Sequence, residues 1–182
     1  MDKPVIFIQG GGDDGYEADK ALVNSLQASL GDDYRIYYPV IQSNEELSDF
    51  GWPLQINQTV LNTKGEPVIV GHSLGASMLL KYLSENALAK KIKGIFLIAT
   101  PFWSGNEDWK TGLKLQENFC DKLPHDVPFF FYHCKDDEVT PLSHLEYYKQ
   151  KVTQATFREL ENGGHQFNND LTLVAQDIKS LK

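Results

Sequence analysis

Cysteine and methionine are scarce in this 182-residue chain, at two each. Cys120 and Cys134 lie far apart and share no Cys-x-x-Cys spacing. That argues against a disulfide scaffold and for free, buried thiols in a reducing compartment. No spacing of His, Asp or Cys matches a metal-ligand pattern, so no metal and no cofactor is expected. Long apolar runs are missing as well. After Met1-Asp2-Lys3-Pro4 the apolar stretch Val5 to Ile8 is too short for a signal peptide or a membrane span, and a cytoplasmic protein without a membrane partner is expected. Positive charge is not in excess: 17 basic against 25 acidic residues give a net charge of −8. The densest basic cluster, Lys90-Lys91-Lys93, reads as the polar approach to a strand, which leaves no electrostatic footprint for nucleic acid. Repeats, low-complexity tracts and linkers are absent too. Residues 1–182 therefore read as a single domain, long enough to bury a core without staples, existing as a monomer or small homo-oligomer.

What is present is an alternation of short apolar runs with helical patterns. Pro4 to Gln9 does not alternate polar with apolar and reads as a buried strand. It ends in Gly10-Gly11-Gly12-Asp13-Asp14-Gly15, a flexible loop with possible N-caps. Leu22, Leu26 and Leu30, with Val23 beside them, have helical spacing that Gly31 stops. Arg35 to Tyr38 is a second strand ended by Pro39, and Ile41 to Trp52 is polar and irregular. Pro53 sits in the first turn of a helix carrying Leu54, Ile56, Val60 and Leu61. Pro67 to His72 is a third strand, and Met78, Leu79, Tyr82 and Leu83 mark the helix after it. Further strands are expected at Ile92 to Thr100, Val127 to Cys134 and Ala155 to Leu160. Pro141 opens a helix with Leu142, Leu145 and Tyr148. The last helix carries Leu171, Val174, Ala175, Ile178 and Leu181 on one stripe. Six strands alternating with helices predict an α/β fold: a doubly wound, mainly parallel six-stranded sheet with helices on both faces.

The chain is organised around Gly71-His72-Ser73-Leu74-Gly75. Strand, sharp turn and helix place Ser73 at the apex, exposed above the sheet edge at a helix N-terminus. Glycine at 71 and 75 permits the tight approach of strand and helix. A serine hydroxyl is a weak nucleophile and needs a base, oriented in turn by a third group. Among five histidines, His165 follows the sixth strand in a Gly-Gly-His loop that can bring imidazole to the turn. His72 reads as a packing residue pointing away from the serine, His133 as a core or edge histidine, and His125 and His144 as surface residues. Asp137 is favoured as the orienting acid over its neighbour Asp136, because Asp-x-Val-x-Pro sets a hydrophobic anchor and a helix start behind it. Glu138 is the third choice. An oxyanion needs backbone N–H donors; Leu74 and Gly11 are the candidates, with Gly12 next. The glycine loop lacks both Gly-x-Gly-x-x-Gly spacing and a Walker lysine, which argues against a nucleotide site. Phe102, Trp103, Trp109 and Phe119 fall in the irregular stretch 101–126. They read either as a small cap lining a substrate pocket, with Gly12, or as a satellite core.

With these pieces in place the sequence resembles the α/β-hydrolase superfamily over essentially its whole length. Ile8-Gln9-Gly10-Gly11-Gly12, Gly71-His72-Ser73-Leu74-Gly75, Asp137-Glu138-Val139-Thr140-Pro141 and Gly163-Gly164-His165-Gln166-Phe167 carry the resemblance. It is most similar to compact, nearly lidless bacterial serine esterases. The resemblance implies Ser73 as nucleophile, His165 as general base, Asp137 as its orienter and an oxyanion hole of Gly11 and Leu74. It also implies strand order 2-1-3-4-5-6. Gln9 replaces the histidine that the family often carries at the oxyanion loop, a change that leaves backbone donors intact. The implied activity is hydrolysis of a small ester or thioester through an acyl-enzyme, with a small-molecule acyl substrate as partner. The alternative is a non-catalytic protein-interaction module on a hydrolase scaffold.

Overall fold

The computed structural model describes residues 2–88, 90–105 and 107–181. Six strands, β1 (Lys3–Ile8), β2 (Tyr34–Tyr37), β3 (Val68–His72), β4 (Gly94–Ile98), β5 (Phe129–Cys134) and β6 (Thr156–Leu160), form one sheet. Every neighbouring pair is parallel, and the order is β2-β1-β3-β4-β5-β6. The expected architecture and strand order both hold.

The sheet is covered on both sides, which is why its strands read as continuous apolar runs. Successive residues of a strand point to opposite faces. Val5, Phe7, Val68, Val70, Phe96 and Ile98 therefore join one core, with α2 (Lys20–Leu30) and α7 (Thr172–Lys179). Ile6, Ile8, Ile69, Ile95, Leu97 and Phe131 join the other, under α3 (Trp52–Asn62), α4 (Leu74–Glu85) and α6 (Leu142–Lys151). Polar ties add direction. The Tyr132 hydroxyl donates to Asp177 of α7 at 2.7 Å, and Arg158 donates to both oxygens of the same carboxylate. No helix among the described residues is long and apolar enough to cross a membrane.

Two local departures from the sequence reading have physical causes. The glycine loop does not run into one helix: α1 (Gly15–Ala18) stops at Asp19, whose side chain is buried, before α2 begins. Asp14 precedes α1 without making a side-chain cap bond. The fourth strand is also shorter than its apolar run, because Ala99 turns to φ 48° just beyond Ile98.

Leu97 lies on the strand between β3 and β5 and is 0% exposed. Leu97→Ala should lower the unfolding free energy by about 2–5 kcal/mol, read from urea denaturation. A loss below about 1 kcal/mol would mean that this face of the sheet is not close-packed.

Candidate active site

Ser73 connects β3 to α4 with φ 50° and ψ −122°, a conformation that side-chain-bearing residues seldom adopt and that is typical of strained functional turns. Its backbone is fixed by donation of the Ser73 N–H to the Ile98 carbonyl at 2.9 Å. Packing enforces the turn. A Cβ at Gly71 would lie 2.7 Å from the Ala76 Cα, and one at Gly75 would overlap the Gln9 carbonyl oxygen.

The structure brings Ser73, His165 and Asp137 into one line. The Ser73 Oγ is 2.9 Å from His165 Nε2, and His165 Nδ1 is 2.9 Å from Asp137 Oδ2. A carboxylate can only accept, so Nδ1 carries the proton and Nε2 is free to accept from the serine. Asp137 is buried and fixed by the Val139 and Thr140 N–H groups, which both donate to Oδ1 at 2.8 Å. Burial opposes its ionisation. The His165 bond and charge, with the two N–H donors, outweigh that and hold the carboxyl below the usual carboxylate range. Asp136 points elsewhere: it accepts from the Gly163 and Gly164 N–H groups, at 3.2 and 2.9 Å, and so holds the loop that carries His165.

The glycine loop after β1 lies against the start of α4. A Cβ on Gly11 would sit 2.7 Å from the Leu74 Cδ2, so Gly11 and Leu74 are brought side by side next to Ser73. The N–H of Leu74 is in the first turn of α4, where no intrahelical acceptor exists. The Gly11 N–H has no acceptor among the described residues.

A model of the serine hydrolase family matches residues 32–172. The chain belongs to the serine hydrolase family. No curated protein is detectably similar in sequence. Among solved structures, the thioesterase domain from a curacin biosynthetic pathway is similar at a TM-score of 0.74 and 17% identity, over 99% of this chain and 92% of that one. An esterase from Exiguobacterium antarcticum is similar at 0.71 and 15% identity, over 98% and 91%. A lipase-esterase related protein from Clostridium acetobutylicum is similar at 0.68 and 16% identity, over 99% and 94%. At these identities the likeness is one of fold.

In this serine hydrolase, Ser73 and His165 open onto a cavity of about 940 Å³, within the range of small-molecule sites. Gly11, Gly12, Leu74, Trp103 and Trp109 line it, Trp109 at 57% exposure. Phe102 does not, which corrects its reading as a pocket residue. Its ring stacks on Tyr147 with 3.6 Å between centroids, and its N–H donates to His144 Nδ1 at 2.9 Å. Phe102 thus packs against the core that lies under α6, whereas Trp103 donates from Nε1 to the Ser77 Oγ and faces the cavity. The far wall comes from the segment that reads as merely polar: Ile41, Phe50 and Trp52. Gln9 builds that wall, because its buried side-chain oxygen accepts the Ile41 N–H at 3.0 Å. Among the described residues no lysine or arginine lines the cavity, while Asp13 and Glu45 do.

Two of the other histidines, His144 and His72, differ from their sequence reading, and His133 does not. His144 is not a plain surface residue: it lines the cavity, and burial keeps its pKa below the usual imidazole value. His133 is a core residue as expected, donating from Nε2 to the Thr140 carbonyl at 2.8 Å behind the Asp137 turn. His72 is buried in a polar network rather than in apolar packing. Its Nδ1 is 2.9 Å from Asp19 Oδ2 and its Nε2 is 3.0 Å from the His165 carbonyl oxygen. Asp19 also accepts the Gly10 N–H at 2.7 Å and the Gln166 amide at 3.2 Å. No local pattern marks Asp19, because its partner His72 lies 53 residues away. One of the two thiols, Cys120, is only half-buried, against the expectation that both are buried.

Burial opposes the ionisation of Asp19, and its bonds to His72, Gly10 and Gln166 outweigh that and hold its carboxyl low. A depressed carboxylate contributes stability that is complete above its unfolded pKa of about 3.9 and is lost as pH falls through the folded value. Urea denaturation of this hydrolase at pH 6 and pH 3 should therefore show a smaller acid-induced loss in Asp19→Asn than in the parent. Equal losses would mean that Asp19 is not held low.

Proposed function

We propose that this hydrolase cleaves small, uncharged carboxylic esters or thioesters through an acyl-enzyme on Ser73. The observation that carries the reading is the unbroken line from the Ser73 Oγ through both ring nitrogens of His165 to the buried Asp137. His165 removes the hydroxyl proton as Oγ adds to the substrate carbonyl. The carbonyl π electrons move onto oxygen, and the N–H groups of Gly11 and Leu74 stabilise that oxyanion. Asp137 supports the imidazolium. As the intermediate collapses, His165 returns the proton to the leaving alcohol or thiol, and the acyl group stays on Ser73. A water molecule, deprotonated by His165, then releases the carboxylic acid and restores the serine.

The cavity supports an uncharged substrate. Its aromatic and aliphatic walls reward apolar burial, and Asp13 and Glu45, with no lysine or arginine opposite, disfavour a carboxylate or phosphate group. Its volume and open form suit short acyl chains. A cytoplasmic setting fits this reading.

A fluorophosphonate probe tests the nucleophile directly. The parent should label and Ser73→Ala should not; an unlabelled parent, or equal labelling of both, sinks the proposal. With p-nitrophenyl esters, Asp137→Asn should lower kcat by about 10³–10⁴-fold, because an amide stabilises the wrong imidazole tautomer. Asp136→Asn should cost no more than about tenfold, since that carboxylate touches only loop backbone. The reverse ranking would assign the acid to Asp136. Best turnover on acyl chains longer than about eight carbons would contradict the short-chain assignment.

A further inference from the structure

Asp19 and His72 form a second carboxylate–imidazole pair, on the opposite side of the elbow from Asp137. Each has a side chain only 1% exposed. Both neighbours of the His72 ring are acceptors. Asp19 Oδ2 already takes the Gly10 N–H at 2.7 Å, and the His165 main-chain oxygen has no proton to give. A neutral imidazole donates from only one nitrogen, so it would leave one of these two short contacts, at 2.9 and 3.0 Å, without a hydrogen.

We infer that His72 is a doubly protonated bridge between Asp19 and the His165 carbonyl, and that this pair positions the base and the oxyanion loop around Ser73. The inference rests on the hydrolase reading for its catalytic consequence, though not for the protonation state. Three separate stretches of chain meet at the pair. Gly10 precedes the proposed oxyanion donor Gly11, His72 precedes the nucleophile, and His165 carries the base. Gln166 adds a fourth tie, donating to Asp19 Oδ1 at 3.2 Å. The side-chain line through Asp137 fixes where the imidazole of His165 points, and the His72 bond fixes where its backbone stands. The two rings are 4.9 Å apart between centroids and tilted by 48°. The charged and titratable groups facing His72 are thus Asp19 from the α1–α2 junction and His165 from the loop after β6. His72 touches no reacting atom and is a positioning residue. A buried ion pair of this kind contributes less to net stability than to fixing one geometry, since desolvation cancels much of its attraction.

Protein labelled with ¹⁵N-histidine tests the inference without reference to activity. At pH 7 the His72 ring, assigned in the parent by through-bond correlation to its own backbone with ¹³C added to the label, should carry protons on both nitrogens, and should still do so in Ser73→Ala. One bare ring nitrogen in the parent overturns the bridge, and this reading needs no variant to fold. The catalytic consequence is read in His72→Asn, whose side-chain amide can still donate to Asp19 but cannot reach the His165 carbonyl. With p-nitrophenyl acetate, kcat should fall about tenfold or more with KM within twofold, in protein that still melts cooperatively. A folded variant with kcat within twofold of the parent removes the positioning role. A parent that fails to label with fluorophosphonate yet shows both ring protons would count against the hydrolase reading and leave the bridge standing.

Discussion

The approach of α4 to the end of β1 is the constraint on which the rest of the site depends. Gly75 rests against the Ile8 and Gln9 carbonyls with no room for a Cβ. That contact draws the helix start down onto the sheet and forces Ser73 into its strained turn. Strain of this kind costs on the order of 1–3 kcal/mol. It is offset by the burial of α4, whose residues from Gly75 to Ser84 are all shielded from solvent. The same contact sets the glycine loop beside Leu74. Nucleophile geometry and oxyanion geometry are therefore one packing event rather than two.

The fold was legible because a sheet covered on both faces writes itself as short, uninterrupted apolar runs. Val5 to Ile8 divides between the two cores residue by residue, and no polar position interrupts the stretch. Strand order was a different matter. Spacing alone cannot order parallel strands, and 2-1-3-4-5-6 came from the family resemblance. In the site, Ser73 and His165 stood out because each occupies a turn with a distinct glycine pattern. Asp136 and Asp137 could not be separated with certainty, since adjacent residues of one turn share a sequence neighbourhood. Only the fold shows that one carboxylate turns inward to His165 and the other outward to the Gly163 and Gly164 N–H groups.

What stayed hidden depends on contacts between distant, aperiodic segments. Phe102 and Trp103 are neighbours in a stretch without regular secondary structure. One stacks on Tyr147 of α6, and the other donates to Ser77 of α4 and lines the cavity. Composition makes both aromatic and gives no means of telling them apart. The segment from Ile41 to Trp52 reads as polar, yet Ile41 and Trp52 are buried and line the cavity. A loop has no period from which an inward face could be read.

The candidate site stands on loops, which lack the ladder of hydrogen bonds that fixes strands and helices, and backbone groups there must find partners elsewhere. Three carboxylates supply them. Asp19 accepts from Gly10, Asp136 from Gly163 and Gly164, and Asp137 from Val139 and Thr140. Charge-assisted bonds to N–H groups are about twice as strong as neutral ones, so a few acidic side chains can hold segments that have no secondary structure of their own. This division also explains why two of the three are buried despite the cost of desolvating a charge. Each buried carboxylate meets an imidazole on its remaining side, Asp137 with His165 and Asp19 with His72. The exposed Asp136 needs no such partner. Acidity in this chain is thus structural at the sheet edge, where it replaces the order that regular backbone would otherwise provide.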